Sequence, residues 1–497
     1  MSLKPIILKG EQKKVLFLQA TEPIQIKGVA GSGKTTVALY RAKHLLDTQS
    51  NLFQEAKVVI FTYNKTLVKY IEAITPYISG GYQINSDEVK PKKPSGINVF
   101  VTNFHKWAYH FLEKNNFPLS EIVDGELQYK TISGWQQSNY ISTIQLNYFA
   151  QSITNKSTDF FVSEISWMKG KAFINKSEYI DSKRTGRGTT DRVTKSDKEV
   201  IWNIYTDYNK KLQDYNQVDF DDYALECLKI IDSNPDFVRP FTHIIVDEAQ
   251  DLSKAQILVI SKLVSEETRS ISIIADAAQR IYKSGFTWGE VGLNVRGGRT
   301  IEFKINYRNT VPIAKAAISL LSKETENEEF TEVKQARRGG EKPVVGYFST
   351  WEEQELYILT ELNALKKREN NSTVILHRNR NDLKYIQKFL KANNFETQIL
   401  LNSGAIDFQS DSIKICTLSS VKGLEFDNVF VIDLNDDIIP YPPGFIDKDD
   451  VFHISTERRL LYTAMTRARE RLYLLSSENP SRYLAEIDEN LLNRVTK

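Results

Sequence analysis

The stretch GVAGSGKTT, Gly28 to Thr36, follows the apolar run PIQIKG and leads into the helical pattern TVALYRAKHLL. Its first eight residues fit G-x-x-x-x-G-K-[ST], and a strand before with a helix after is the context such a loop needs. Glycines let backbone N–H groups close around phosphate oxygens, and the N-terminus of the following helix favours their negative charge. Gly28, Ala30, Gly31, Ser32, Gly33, Lys34, Thr35 and Thr36 are therefore the expected nucleotide-binding set. Lys34 is expected to reach the β- and γ-phosphates of ATP, and Thr35 to hold Mg2+.

Working outward, PIQIKG is one of several short β-branched runs that end in polar or acidic residues ahead of helical patterns. KVVIFT (57–62), HIIVDE (243–248) and ISIIAD (271–276) form one set; STVILH (372–377), SIKICTL (412–418) and NVFVIDL (428–434) form a second. Near-continuous apolar strands suit a parallel sheet covered on both faces, so an α/β fold in two units is expected. The RGGR turn near Gly297–Arg299 marks the boundary. Between Trp107 and Asn216 the strand signal fades, and a mainly helical insertion is expected. The expected division is 1–107 with 216–298, an insertion over 108–215, and a second unit over 299–497. The basic part of the insertion leaves two readings. It lines a nucleic-acid path through Lys183, Arg184, Arg187 and Arg192, or it is a solvated loop.

The run IIVDEAQD delivers Asp247 and Glu248 to the carboxyl edge of a sheet, where ligands of open α/β sheets bind. Asp247 suits the Mg2+ shell beside Thr35, and Glu248 suits orientation or activation of an attacking water. The chain's 497 residues carry a formal net charge of only +2, so nucleic-acid contact would use a local basic surface. Cys227 and Cys416 lie far apart without a CxxC pattern, which favours a reducing cytoplasm. No apolar stretch approaches a membrane span or a signal peptide, so a cytoplasmic protein without a membrane partner is expected.

A series of motifs then runs in order: LKGEQKKVL with Gln12, the phosphate loop, FTYNKTL, TNFHKWA, DFDD (Asp219–Asp222), VDEAQD, ADAAQRIY, NYR (Asn306–Arg308), LSSVKGLEF and ERRLLYTAMTRARERL. This series resembles the UvrD/Rep/PcrA family of superfamily 1 helicases through most of the chain. The resemblance implies two RecA-like P-loop motor domains with parallel sheets, ATP and Mg2+ as cofactors, and DNA as partner. It also implies residue roles. Gln12 reads the adenine, Tyr307 stacks on it, and Glu425 contacts the ribose. Gln279 links the γ-phosphate to the DNA surface, while Arg308 and Arg467 reach that phosphate from across the cleft. Arginine fits the task because it stays charged and meets phosphate oxygens bidentately. The small and apolar Ala464, Met465 and Ala468 are expected to seat a helix that aims Arg467, leaving Arg469 and Arg471 on the surface.

A translocating strand needs phosphate contacts that ignore sequence and aromatic faces for stacking. The matching motifs nominate Thr62, Asn64, Phe104, His105, Tyr282 and Thr417, with Ser419 and Ser420 as backbone contacts. For Phe104 and Tyr282, core packing is the alternative. Two departures from the family pattern bear on this track. FTYNK stands where relatives read TFTNK, and Ser284 stands where they place a tryptophan.

Only Arg380–Ile415 separates VILHRNR from CTLSSVKG, too little for the large insertion that relatives carry there. A compact motor without an appended nuclease is therefore expected. The leading reading is a helicase or translocase on single-stranded or tailed duplex DNA, moving 3′ to 5′. The alternatives are a DNA-stimulated translocase that strips proteins or serves a partner nuclease in repair or anti-phage defence, and a nucleotide-gated module without productive turnover.

Overall fold

The computed structural model describes residues 7–50, 56–62, 65–74, 83–85, 98–115, 117, 130–184, 192–276, 286–322, 338–368, 372–400, 407–408, 410–441 and 450–496. Strands β1 (Ile24–Gly28), β2 (Val58–Thr62), β3 (Gln83–Asn85) and β4 (Asn98–Asn103) precede a small pair, β5 (Lys130–Thr131) and β6 (Gln217–Val218). Then come β7 (His243–Val246), β8 (Ser270–Ala275) and β9 (Thr300–Phe303). Among the described residues the first large sheet has the order β3-β4-β2-β7-β8-β1-β9, with every pairing parallel. A second parallel sheet, β12-β13-β11-β14-β15-β10-β16, is built from β10 (Val344–Phe348), β11 (Thr373–His377), β12 (Thr397–Ile399), β13 (Ile413–Thr417), β14 (Phe426–Val431), β15 (Ala468–Ser477) and β16 (Asn493–Thr496).

The pleat explains why these strands read as continuous apolar runs. In β2, Val58 and Ile60 enter one core while Val59 and Phe61 enter the core on the opposite face. In β8, Ile271 and Ile273 join the second of these cores and Ile274 the first. The other sheet repeats the device, with Val374 and Leu376 on one side and Ile375 on the other. Side chains alternate along a strand, so a strand buried on both faces must be apolar throughout.

Helices α1 (Lys34–Gln49), α2 (Lys65–Ile74) and α3 (Phe104–Lys114) follow β1, β2 and β4. The insertion contains α4 (Gly134–Gln145), α5 (Thr158–Gly170), α6 (Lys176–Asp181) and α7 (Lys195–Asp214) around its own core of Ile141, Phe160, Phe161, Ile165 and Tyr208. α8 (Asp222–Ser233) and α9 (Lys254–Lys262) return to the first sheet. α10 (Val311–Leu321), α11 (Trp351–Leu365), α12 (Leu383–Ala392), α13 (Val451–Met465) and α14 (Arg482–Glu486) belong to the second.

Three expectations shift. β9 pairs with β1, so the first unit runs past Arg299 to Phe303. α3 continues through position 108 with Ala108 and Leu112 in the first unit's core, so the insertion begins later. The C-terminal arginines do not lie on one helix: α13 stops at Met465, Arg467 sits in the turn, and Ala468 opens β15. The run Leu472–Leu475 is fully buried between β14 and β10, and that central strand position overrides the helical pattern.

Much of the basic stretch in the insertion serves its folding. Lys169 is buried in ion pairs with Asp219 and Asp222 at 2.7 and 2.6 Å. Lys198 donates to the carbonyls of Tyr179, Ile180 and Ser182. Arg184 pairs with the buried Glu164 at 2.6 Å, which corrects the nucleic-acid reading at that position. Lys183 and Arg192 are exposed, and Arg187 lies outside the described residues.

His243, at the start of β7, makes a pH prediction. Burial, reinforced by Arg41, pushes its imidazole from 6.5 down to about 4. Between those values the unfolded chain binds the extra proton, so stability is lost as pH falls through the window. The loss is about 3 kcal/mol by pH 4. Denaturant titrations at pH 7 and pH 4 should therefore show wild type losing that much more than His243→Leu; equal acid losses would contradict it.

Candidate nucleotide cleft and nucleic-acid track

The phosphate loop joins β1 to α1. Gly31 and Gly33 hold φ of +73° and +82°, which side-chain-bearing residues rarely adopt. A Cβ on Gly31 would collide with Asn306, and one on Gly33 with Gln12, so the loop backbone is packed from outside by residues of two motifs. Lys34 Nζ donates to the carbonyls of Gly28 (2.9 Å) and Val29 (3.1 Å) and to Asp276 Oδ2 (2.9 Å). Ser32 Oγ is buried in the loop with no hydrogen-bond partner among the described residues, an orphan that a phosphate oxygen would satisfy.

β7 brings Asp247 to the same edge, where Thr35 Oγ1 donates to its Oδ2 at 2.9 Å. Hydroxyl and carboxylate side by side are the hard oxygen donors Mg2+ takes, with phosphates and waters completing its shell. Burial first, and the Glu248 carboxylate second, push the Asp247 carboxyl up to about 7. A bound divalent cation would favour its ionised form. For Glu248, burial alone would raise the pKa. Lys422, followed by Lys34 and Arg467, overrides this and holds it well below the usual range.

Lys422 comes from the second domain, in the turn after β13. Its ammonium is buried, 3.5 Å from Glu248 and in a direct ion pair with Asp251. Gln250 links the same group: its amide donates to Glu248, and its carbonyl accepts from the Asp276 backbone at 3.1 Å.

Arg308 and Arg467 approach from the other side. Arg308 pairs with Glu425 at 2.5 Å and donates to the Thr466 carbonyl at 3.3 Å, while Asn309 also bonds the 466–468 turn. Arg467 is 1% exposed, and its guanidinium is held by the Thr463 carbonyl and the Thr466 hydroxyl. Burial, with Arg308 nearby, lowers it to about 10, which leaves it charged at neutral pH. Gln12 is bound at both ends, donating to the Ser32 carbonyl (2.6 Å) and accepting from the Lys9 backbone (2.8 Å). Arg41 fixes that N-terminal segment through the carbonyls of Leu18 and Gln19. Tyr307 follows Asn306, with its backbone N–H on the Gly31 carbonyl. Ala30 packs in the core of the second domain, so the loop itself touches both halves.

The nucleic-acid expectations divide. Thr62 is 1% exposed at the end of β2, and Phe104 is 2% exposed within the first unit's core. Neither side chain offers a stacking surface, and for Phe104 the packing reading replaces the stacking one. The Thr417 side chain is buried too, bonded to the hydroxyls of Ser419 and Ser420. His105 is half-buried, its ring 5.9 Å from Phe220 and 6.2 Å from Tyr223. Asn64, Gln279 and Tyr282 lie outside the described residues.

The profile of the UvrD/REP helicase N-terminal domain matches residues 8–287 of this chain. The chain belongs to the UvrD/REP helicase family. A UvrD-like helicase C-terminal domain matches 301–404 and 398–479. Similar proteins include YjcD of Bacillus subtilis (strain 168), 24% identical over 73% of this chain and 44% of its own length. The ATP-dependent DNA helicase srs2 of Schizosaccharomyces pombe is 26% identical over 65% and 36%. The ATP-dependent DNA helicase PcrA of Leuconostoc citreum is 23% identical over 79% and 50%. The chain thus spans half or less of the length of these relatives.

Within this UvrD/REP frame, four participants escaped sequence reasoning. Asp276 and Lys422 stand inside quoted motifs, yet nothing local names their partners. Asp251 pairs with Lys422 from 171 residues away. Phe220, 55% exposed beside His105, could have been found as the one large apolar residue among the carboxylates of DFDD.

Proposed function

We propose that this chain is an ATP-driven motor on single-stranded DNA, a helicase or translocase moving 3′ to 5′. One observation carries the reading. Lys34, Thr35, Asp247 and Glu248 of the first domain meet Lys422, Glu425 and Arg467 of the second in a single cleft, with Arg308 between them. ATP between the domains would exchange Lys34 from Asp276 to phosphate and Arg308 from Glu425 to phosphate. The cleft then responds to the nucleotide from both sides. Mg2+ at Thr35 and Asp247 would neutralise phosphate charge. Glu248, kept ionised by Lys422, orients the attacking water, and Arg467 meets the developing charge. Repeated closing and parting of the domains would move the strand. The exposed Phe220, with His105 packed edge-on beside it, would offer a ring face to a base.

A specific observation also favours a translocase that serves a partner and unwinds little alone: between β11 and β13 the described residues hold only α12 and β12, where the family resemblance implies a large insertion. Duplexes with 3′ or 5′ single-stranded tails, in DNA and RNA forms, decide the matter. Unwinding of the 3′-tailed DNA alone is expected for a helicase, and DNA-stimulated hydrolysis without unwinding for a translocase. Preference for a 5′ tail or for RNA would overturn the assigned substrate and direction.

A further inference from the structure

Helix α2 lies between the two halves of the motor. It begins three residues after Thr62, the end of β2, and packs against β4, whose last residue precedes Phe104 and His105. Leu67 and Ile71 anchor it in the core of the first domain. Tyr70 packs against that core and against the core of the second domain. Its ring meets Phe408 edge-on, with centroids 5.6 Å apart and planes at 77°. Phe408 belongs to the short stretch between β12 and β13.

Leu67 makes a second crossing from the same helix face, since residues three apart are neighbours. A Cβ built on Gly423 would lie 2.6 and 2.8 Å from the Leu67 methyls. Gly423 holds φ of +82° and stands between Lys422 and Glu425, the two second-domain residues that reach Glu248, Asp251 and Arg308. The absence of a side chain therefore lets α2 seat on the turn that carries those groups. The Tyr70 hydroxyl shares their surroundings: burial, then Glu425, raises its pKa, while Arg308, Arg469 and Arg467 oppose the rise.

We infer that the Leu67–Tyr70 face of α2, closed by Phe408, couples the nucleic-acid track to the nucleotide cleft, so that a bound strand sets the rate of ATP hydrolysis. A shift of α2 caused by a strand bound beside His105, just past the end of β4 on which α2 packs, moves the 422–425 turn directly, because packed side chains leave no slack between them. Tyr70 and Phe408 are positioning residues; neither touches ATP. The inference rests on the proposed function, since it requires a strand-stimulated ATPase.

The test uses the full chain. Hydrolysis is measured against ATP concentration, with and without oligo-dT, for wild type, Tyr70→Ala, Tyr70→Phe and Phe408→Ala, alongside thermal unfolding. In Tyr70→Ala and Phe408→Ala the stimulation by DNA is expected to fall about fivefold or more, the usual scale of coupling between sites. The basal rate and KM for ATP stay within about twofold, and Tyr70→Phe, which keeps the ring contact, retains wild-type stimulation. Undiminished stimulation in Phe408→Ala, or equal losses with and without DNA, would overturn the inference while leaving the motor assignment intact. A wild type that hydrolyses ATP but ignores DNA would overturn both. Should Tyr70→Ala not fold, Phe408→Ala decides.

Discussion

Arg467→Ala is expected to lower ATP turnover by about a thousandfold while changing ATP affinity by less than about tenfold, the pattern of an interaction made mainly in the transition state. The Arg467 guanidinium is buried, aimed by the helix-to-strand turn, and held by two bonds to α13 and that turn. Little reorganisation is then needed when charge develops on the transferring phosphoryl group. Arg467→Lys should not restore the rate, because an ammonium lacks the planar fork and reaches a different point. Turnover measured beside fluorescent-nucleotide binding separates the two quantities. Equal damage to binding and hydrolysis would refute the role.

The second large effect is expected at Lys422. Lys422→Ala leaves the Glu248 and Asp251 carboxylates buried without their cation, and breaking a buried pair by removing one partner costs about 3–5 kcal/mol. Part of that cost falls on domain docking and part on Glu248. Turnover should accordingly drop by more than about a hundredfold. The pairing makes a sharper claim. Adding Asp251→Ala to Lys422→Ala removes one stranded charge, so the double variant should be more stable to denaturant than the single one. Strictly additive losses would show that the two side chains do not interact as a pair.

These effects mark what the sequence made legible. The phosphate loop could be seen because its chemistry is local: glycines, a lysine and a threonine at fixed spacing between a strand and a helix. Asp247 and Glu248 were visible because the end of an apolar strand falls at the ligand edge of a parallel sheet. The meeting of Arg308 with the Arg467 turn was visible only through the family resemblance, since no local pattern joins positions 158 residues apart.

The rest depends on packing. Ala468–Ser477 became a strand because β14 and β10 flank it, and neither is its sequence neighbour. Phe104 has the composition of a stacking residue, yet the core formed by α3 and α8 takes its ring. Lys169, Arg184 and Lys198 look like a solvated basic run until their buried acceptors, distant along the chain, are known. The pairing of β9 with β1 moved the domain boundary for the same reason: four residues of ordinary strand character acquire their domain from their neighbour.

The most direct test of a two-domain ATP motor is steady-state ATP hydrolysis by wild type and Lys34→Ala, each with and without single-stranded DNA. Wild type should hydrolyse ATP and accelerate when DNA is added, and Lys34→Ala should stay near background in both conditions. Equal rates for the two proteins would contradict the account.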